Sequence, residues 1–545
     1  MKHKFLKGGM LILATTALFS CSKKIDEAYS NPNAQTKVPV ETLLPQLVAS
    51  MGANYAGHGP SNDARYVGAY IQNFAFCNIN SNFDMQGYTN TDVAQSTWRT
   101  HYYDIGQNCM KMIEWASEEQ KWDYAGVGQA IFAWSWLTIA DYYSEIIVKE
   151  AFNTSLITFH FDTQEDAYNK AKEYAYAAVA NLSRTDGNSS AANLALGDQY
   201  FYNGDAGKWK KFAYSVLARI HNHYSNKSSY NADSVIHYAN LGITSSADDA
   251  LVKFAATPLS ATNNFWGPLR NNLTGTGVTS PTAIRQASYI ANLLNGTNAE
   301  FATLQDPRAW YLLRGNSAGT IVGVEPVAGQ NALASTQRPE NFWGTAQTSS
   351  TPSNVAPTTE KGTYIFRNAA PIPVITAAEV HFLKAEAAFR KGDRATALQA
   401  YKDGIAANFD MLTNTFNVNI LPGKEITPAI KASYLANAIA VPASPAGLNL
   451  SKIMLQKYIA QFAYGALETW LDMRRFHYTD VDASTGNQVY RDFDIPTLFP
   501  DNAGKTVQRM RPRFNSEYVW NRLELERIGA TTNDYHVKEM WITQP

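Results

Sequence analysis

Asp472, Arg474 and Arg475 crowd into four residues near the end of an apolar helical stretch, and Glu379 and His381 lie two apart in another. Such groups could move protons or hold a metal, so each pattern has to meet what those reactions require. A zinc hydrolase helix carries two His four residues apart with a Glu beside the first, and His381 has no such partner. Cationic side chains at a helix C-terminus complement the helix dipole, which is the role expected of Arg474 and Arg475. A glycosidase needs two carboxyls about 5–10 Å apart across a cleft, a separation that linear spacing does not define. No P-loop and no dinucleotide fingerprint occurs, and no nucleophile elbow is expected. The reading is of a protein that is not an enzyme.

Cys21 is the other reactive group. Lys2, Lys4 and Lys7 precede an uncharged run from Gly8 to Ser20, too short for a hydrocarbon core of about 30 Å, so residues 1–20 read as a signal peptide. Leu18-Phe19-Ser20 followed by Cys21 resembles the lipobox of bacterial lipoproteins, and Ser22-Lys23-Lys24-Ile25-Asp26-Glu27 resembles the surface-export tether of Bacteroidetes lipoproteins. Lipidation of Cys21 and a lipid-anchored, outer-membrane, surface-exposed protein are therefore expected, with residues 21–40 as lipidated N-terminus and linker. The formal net charge is −1, and loss of the three N-terminal lysines leaves about −4, so no basic face for nucleic acid is implied. Cys77 and Cys109 could form one disulfide or remain two buried thiols. No cofactor or metal cluster is indicated, and a structural cation such as calcium is left open. Aromatic residues make up 12% of the chain, enough to fill cores and also to build binding platforms.

Apolar periodicity predicts a helix from Val40 to about Met51, then helices over 94–116, 124–143, 163–182, 208–224, 231–241, 376–390, 393–408 and 451–475. Residues 124–143 are apolar nearly all round, which places that helix mid-core. Between about 245 and 373 the chain is rich in Gly, Pro, Ser, Thr and Asn and too broken for long helices, so it is expected to be an elaborated, ligand-facing region. The fold class is mainly α. One domain over 41–545 is expected, with its helical scaffold at about 41–244 and 374–475.

Around Lys391-Gly392-Asp393 two helices meet, with Ala385 and Ala397 letting the axes approach and Phe389 and Tyr401 filling the gap, the pattern of a tetratricopeptide repeat. Further motifs follow. Gly204-Asp205, Lys208-Trp209 and Lys211-Phe212-Ala213 form a GD-x-x-KW-x-KFA helix, Asp306-Pro307-Arg308 a compact tripeptide, and Gln456-Lys457 to Arg475 a Q-K-x-x-A…E-x-W-x-D-x-R-R helix. With Arg511-Pro512-Arg513-Phe514 and Trp541, and behind a lipobox, this order resembles the SusD/RagB family of nutrient-binding outer-membrane lipoproteins. Ser144 and Ile147 stand where the family usually has Gly and Pro after the Asp141-Tyr142-Tyr143 helix end, leaving that turn's conformation open.

The resemblance implies a SusD-like α/α superhelix of tetratricopeptide-like helix pairs, a non-catalytic role in binding oligosaccharides, and delivery to a SusC-like TonB-dependent transporter. Aromatic rings on loops, flanked by hydrogen-bonding side chains, would form a shallow site. Phe83 and Tyr88 with Asn82 and Asp84, Trp266 with Arg270, and Trp343 are the candidate ligand-binding residues. A peptide cargo, as in the RagB branch, is the alternative, and a secreted glycan hydrolase a more distant one.

Overall fold

The computed structural model describes residues 37–52, 62–87, 95–255, 257–259, 262–270, 273, 283–352, 354–512 and 516–545. Cys21 and the signal peptide lie outside the described residues. The architecture is mainly helical, as the periodicity predicts. α1 (Leu44–Gly52) and α2 (Asn62–Tyr70) lead to the short strand β1 (Phe74–Phe76), and α3 (Gln95–Arg99) runs through a π-helical stretch, Thr100–Gln107, into α4 (Asn108–Glu118). The single helix expected over 94–116 is thus interrupted at its centre. α5 (Trp122–Tyr143) is buried along nearly its whole length, so it needs no polar face.

Several of the following helices begin where a short polar side chain satisfies a free N–H group. α6 (Gln164–Asn181) starts at a capping box between Thr163 and Asp166. α7 (Ala191–Gly197) precedes α8 (Ala206–His223), capped by Asp205, and α9 (Ala232–Leu241), capped by Asn231. Apart from 3-10 turns, the irregular stretch holds only β2 (Ala250–Val252), β3 (Ile284–Gln286), α10 (Ser288–Asn295), α11 (Ala309–Leu312) and β4 (Ile372–Ile375) among its described residues. Helices return as α12 (Ala377–Lys391), α13 (Arg394–Thr415), α14 (Pro428–Ala436), α15 (Leu450–Ala460) and α16 (Ala466–Arg475), with α17 (Arg522–Arg527) near the end.

The scaffold is a succession of neighbours. α4 packs on α5, α5 on α6, α6 on α8, α8 on α9, α9 on α12, and α12 on α13 and α15. In the α12–α13 hairpin Ala385 and Ala397 are fully buried, and Gly404 approaches so closely that a Cβ there would sit 2.8 Å from the Phe382 ring. Gly392 turns the chain at φ +89°, a left-handed conformation costly to residues with a Cβ, and Asp393 caps α13 through the Thr396 N–H. Two antiparallel ladders, Phe74 opposite Gln286 and Ala250 opposite Ile375, attach the irregular stretch to this scaffold. Ser144 ends α5 at φ +72° and ψ −90°, so serine holds a backbone geometry suited to glycine, at a cost of order 1–3 kcal/mol.

The helix expected over 451–475 breaks at Gln461–Gly465, where Ala463 takes φ +68° and its N–H donates to Asn73 Oδ1 at 2.8 Å. Cys77 and Cys109 are separate buried thiols, and burial pushes both pKa values upward.

Candidate functional site

A buried charge fixes the candidate site. Arg308, fully buried, pairs with Asp306 (2.6 Å) and donates to Asn408 Oδ1 on α13 (3.0 Å), Tyr434 Oη on α14 (3.2 Å) and Gln456 Oε1 on α15 (2.7 Å). An ion with this many partners is costly to displace, so the Asp306-Pro307-Arg308 tripeptide locks the irregular stretch to three helices. One residue further on, α11 begins and presents Trp310 half-buried at the surface. Tyr311 closes the other side: its hydroxyl donates to Asn417 Oδ1 (2.7 Å) and accepts from the Ile426 N–H (3.1 Å), holding the loop after α13 in place.

Between α11 and that loop lies a cleft of about 640 Å³ lined by Trp310, Arg314, Glu340, Lys361, Asn419 and Lys424, among others. Gly315 lets the Trp310 ring lie against the backbone, since a Cβ there would meet ring carbon Cζ3 at 3.0 Å. Lys424 Nζ sits 4.6 Å from the ring centroid. Arg314 is held by the Glu340 carboxylate (2.5 Å) and the Lys361 carbonyl (3.2 Å). Asn419 donates to the carbonyls of Glu360 (3.2 Å) and Gly362 (2.9 Å), tying the two walls together. Glu360, the second acid in the cleft, accepts the Asn368 N–H at 2.7 Å and faces Arg367 at 3.7 Å. Gly315-Asn316-Ser317-Ala318-Gly319 has the G-x-S-x-G spacing of a nucleophile elbow but forms a reverse turn, with the Asn316 Oδ1 accepting the Ala318 and Thr320 N–H groups. The Ser317 hydroxyl donates to the Thr336 carbonyl (3.2 Å) rather than to a base. The arrangement offers one aromatic platform, hydrogen-bond donors and acceptors of both charges, and acids already engaged by their neighbours.

Among the described residues, none of those expected from the sequence to bind ligand lines this cleft. Trp266 and Trp343 are 0% and 1% exposed, which corrects their assignment: neither ring can present a face to a ligand. They pack within the irregular stretch, the Trp343 indole donating to the Trp266 carbonyl at 2.8 Å and the Trp266 ring packing on Phe74 and Phe366. Long irregular segments must bury their own large rings to hold a shape, and these two do so. Phe83 is half-buried and stacks on Tyr66 at 3.9 Å between centroids, pinning its turn, while Asn82 is exposed and its carbonyl accepts the Gly87 N–H. Asp84 is 1% exposed, so it too is corrected from ligand contact to turn anchor. It accepts the N–H groups of Phe76 (3.0 Å) and Val327 (3.1 Å), and burial pushes its carboxyl up to about 7 against those donors. Arg270 lines a separate, more apolar cleft of about 270 Å³ with Tyr200 and Phe265. Tyr88 lies outside the described residues.

Removal of Asp84 gives a first expected result. Asp84→Ala leaves two buried N–H groups without an acceptor and is expected to cost about 2 kcal/mol in urea unfolding while leaving occupancy of the Trp310 cleft unchanged. A loss below a few tenths of a kcal/mol would remove its anchoring role.

The residues that looked chemically active are structural. Asp472 and Arg475 are buried and paired with each other (2.6 Å), and Arg474 donates to the carbonyls of Asp141 (2.9 Å) and Gln508 (2.6 Å). Glu379 pairs with Arg219, and His381 donates to the Thr244 carbonyl. Among the described residues no group of three or more His, Cys, Asp or Glu side chains is placed to hold a metal ion, and no helix is long and apolar enough to cross a membrane.

Trp310 is not among the rings expected from the sequence, which lie on loops, because it sits on a four-residue helix. Its proximity to the Asp306-Pro307-Arg308 motif was the available signal.

Known proteins share this fold. A SusD/RagB family protein from Bacteroides thetaiotaomicron superposes with a TM-score of 0.67 at 21% identity, covering 93% of this chain and 99% of that one. A chitin-binding protein gives 0.66 at 19% identity over 93% and 99% of the two chains. A chitin-binding SusD homolog from Flavobacterium johnsoniae gives 0.60 at 16% identity over 92% and 96%. At these identities the likeness establishes the fold. A search among curated proteins finds no match. Residues 32–499 match the model of a family described as starch-binding and associating with the outer membrane, and with most of its length inside that match the chain belongs to the SusD-like family.

Proposed function

We propose that this protein is a non-catalytic surface lipoprotein, anchored through Cys21, that binds oligosaccharides in the Trp310 cleft and delivers them to a SusC-like TonB-dependent outer-membrane transporter. The observation that carries the reading is the cleft itself: a half-exposed indole rimmed by Arg314, Glu340, Asn419 and Lys424, on a loop region locked to a rigid helical scaffold. Sugars present apolar faces to rings and hydroxyls to such polar edges. The engaged state of Glu340 and Glu360 supports binding over hydrolysis, because a general acid and base need to be free for substrate. The starch-binding description of the family and the chitin-binding structural neighbours support a glycan cargo. A protein that must release its cargo is served by equilibrium binding with a fast off-rate.

One observation favours peptide as the second reading. Lys361 and Lys424 line the cleft without a carboxylate partner within 4 Å among the described residues, and could meet a peptide's acidic groups. Arrays of glycans and of peptides, probed with the acyl-free protein and followed by a reducing-end assay, separate the alternatives. Glycan retention without new reducing ends is expected. Retention of peptides alone moves the cargo to the RagB type, and released reducing ends overturn the non-catalytic reading.

A further inference from the structure

A second concavity, of about 300 Å³, opens where α3, the π-helical stretch, the loop after α5 and the segment at 516–521 meet. It is independent of the Trp310 cleft. Its walls are aromatic: Trp98, Tyr102, Phe152 and Phe159. The Tyr102 ring is fixed by its hydroxyl, which donates to the Ile147 carbonyl at 2.7 Å, and Trp98 lies against it at 4.9 Å between centroids. Phe152 takes φ +66°, an uncommon conformation for a bulky residue, and its ring presses on Gly106, where a Cβ would lie 2.4 Å from ring carbon Cζ. That contact also gives the helix a reason to loosen: Thr100–Gln107 is π-helical, as is Ser516–Trp520 on the opposite rim. π-helical turns are rare and collect at functional sites, where the extra residue re-aims side chains.

Among these rings lies one charge. Glu517 is 6% exposed and lines the concavity, accepting hydrogen bonds from Asn521 Nδ2 (3.0 Å) and Ser516 Oγ (3.3 Å). The Asn521 amide is held in turn by both backbone groups of Phe159. Among the described residues no Lys, Arg or His nitrogen lies within 4 Å of the carboxylate, whereas four buried carboxylates of the helical scaffold, Glu379, Glu386, Glu468 and Asp472, each have a cationic partner. Asp84, likewise without an ion pair among the described residues, is instead satisfied by two backbone N–H groups and lines neither this concavity nor the Trp310 cleft. A buried carboxylate without a counter-charge is unstable relative to one that is paired, and burial raises its pKa accordingly.

We propose that this concavity binds a compact organic ammonium ion, with the charge on Glu517 and the alkyl groups against the rings of Trp98, Tyr102 and Phe159. Ring faces carry negative potential and attract a cation that also sheds water easily, and the carboxylate adds a direct ion pair. An anion would be repelled. A neutral sugar could reach Gln107, Asn153 and Thr154 on the walls but would leave Glu517 uncompensated. The volume accommodates a single small head group and not an extended chain.

The test is isothermal titration of the acyl-free protein with choline, with its uncharged isostere 3,3-dimethylbutan-1-ol, and with n-butylammonium. Choline or butylammonium is expected to bind about 10-fold or more tighter than the neutral isostere, and the tighter of the two tells a quaternary from a primary head group. Glu517→Gln, which keeps an acceptor for Asn521, is expected to lose at least about 10-fold in that binding without lowering the unliganded melting temperature. Equal binding of ion and isostere, no binding of either ammonium, or undiminished binding to the Gln variant overturns the proposal. The isostere comparison is made on the wild-type chain, so it holds whether or not the variant folds.

Discussion

Glu386→Ala is expected to destabilise the protein by about 3–5 kcal/mol, measured as a fall in the denaturant midpoint at constant slope. Glu386 is fully buried on α12 and accepts from Arg475 (2.9 and 3.0 Å), Arg390 (2.9 Å) and Asn222 (2.9 Å). Burial alone would raise its pKa, yet Arg475 and Arg390 hold the carboxyl well below the usual range. The contacts continue through α16, α15 and α8. Arg475 pairs with Asp472 (2.6 Å), Asp472 with Lys457 (2.7 Å), Lys457 with Glu468 (3.1 Å), and Glu468 with Arg219 (3.2 Å) and His223 (3.1 Å). In this alternation each charge compensates its neighbours, so deleting one acid leaves Arg475 under-compensated and the Asn222 amide without its acceptor. The pH dependence has a definite sign. Because the folded pKa is depressed, the unfolded chain takes up a proton first as pH falls through the ordinary value of 4.5, and the wild type loses this contribution below it. The variant has no such group to protonate and is expected to show a shallower loss there. A destabilisation under 1 kcal/mol would mean that water has replaced the ion network's role.

Trp310→Ala is expected to weaken glycan binding by about 2 kcal/mol, roughly 30-fold in Kd, as for other exposed aromatic anchors. Thermal stability should move little, because the ring is only half-buried and its indole nitrogen has no hydrogen-bond partner among the described residues. Fold and ligand effects separate here: Trp266→Ala or Trp343→Ala would empty fully buried volume and report on folding before ligand. Unchanged affinity in a folded Trp310→Ala protein, measured by titration with a glycan that the wild type retains, would move the site elsewhere. A loss confined to Arg270→Ala would place it in the smaller cleft beside Tyr200 and Phe265.

The helical scaffold was legible because its causes are local. Thr163 with Asp166, Asp205, Asn231, Thr376 and Asp393 are caps that act within three residues, and Ala385, Phe389, Ala397 and Tyr401 bury at the positions that helical period assigns them. The Asp472, Arg474 and Arg475 cluster could be read as structural for the same reason, since it closes a helix. Interruptions were not legible. The π-helical stretch answers to Phe152 pressing on Gly106, and the break before α16 to Asn73 bonding the Ala463 N–H, contacts made across 46 and 390 residues of chain.

The same distinction separates the two groups of rings. Sequence alone determined that the irregular stretch would carry large aromatics among polar neighbours, and that Asp306-Pro307-Arg308 within it resembled a recurrent family tripeptide; that the tripeptide is a fixed point emerged from its buried contacts. Which ring faces solvent was decided only in three dimensions. The Trp266 ring vanishes against Phe74 and Phe366, each about a hundred residues or more away in the chain, and Trp343 is buried beside it with its indole on the Trp266 carbonyl, while Trp310 stays open because Arg308 is anchored on α13, α14 and α15 and Gly315 leaves room beside it. Exposure is a property of what packs over a residue, and for residues outside helical periodicity the covering partners are set by tertiary contacts that no local pattern encodes.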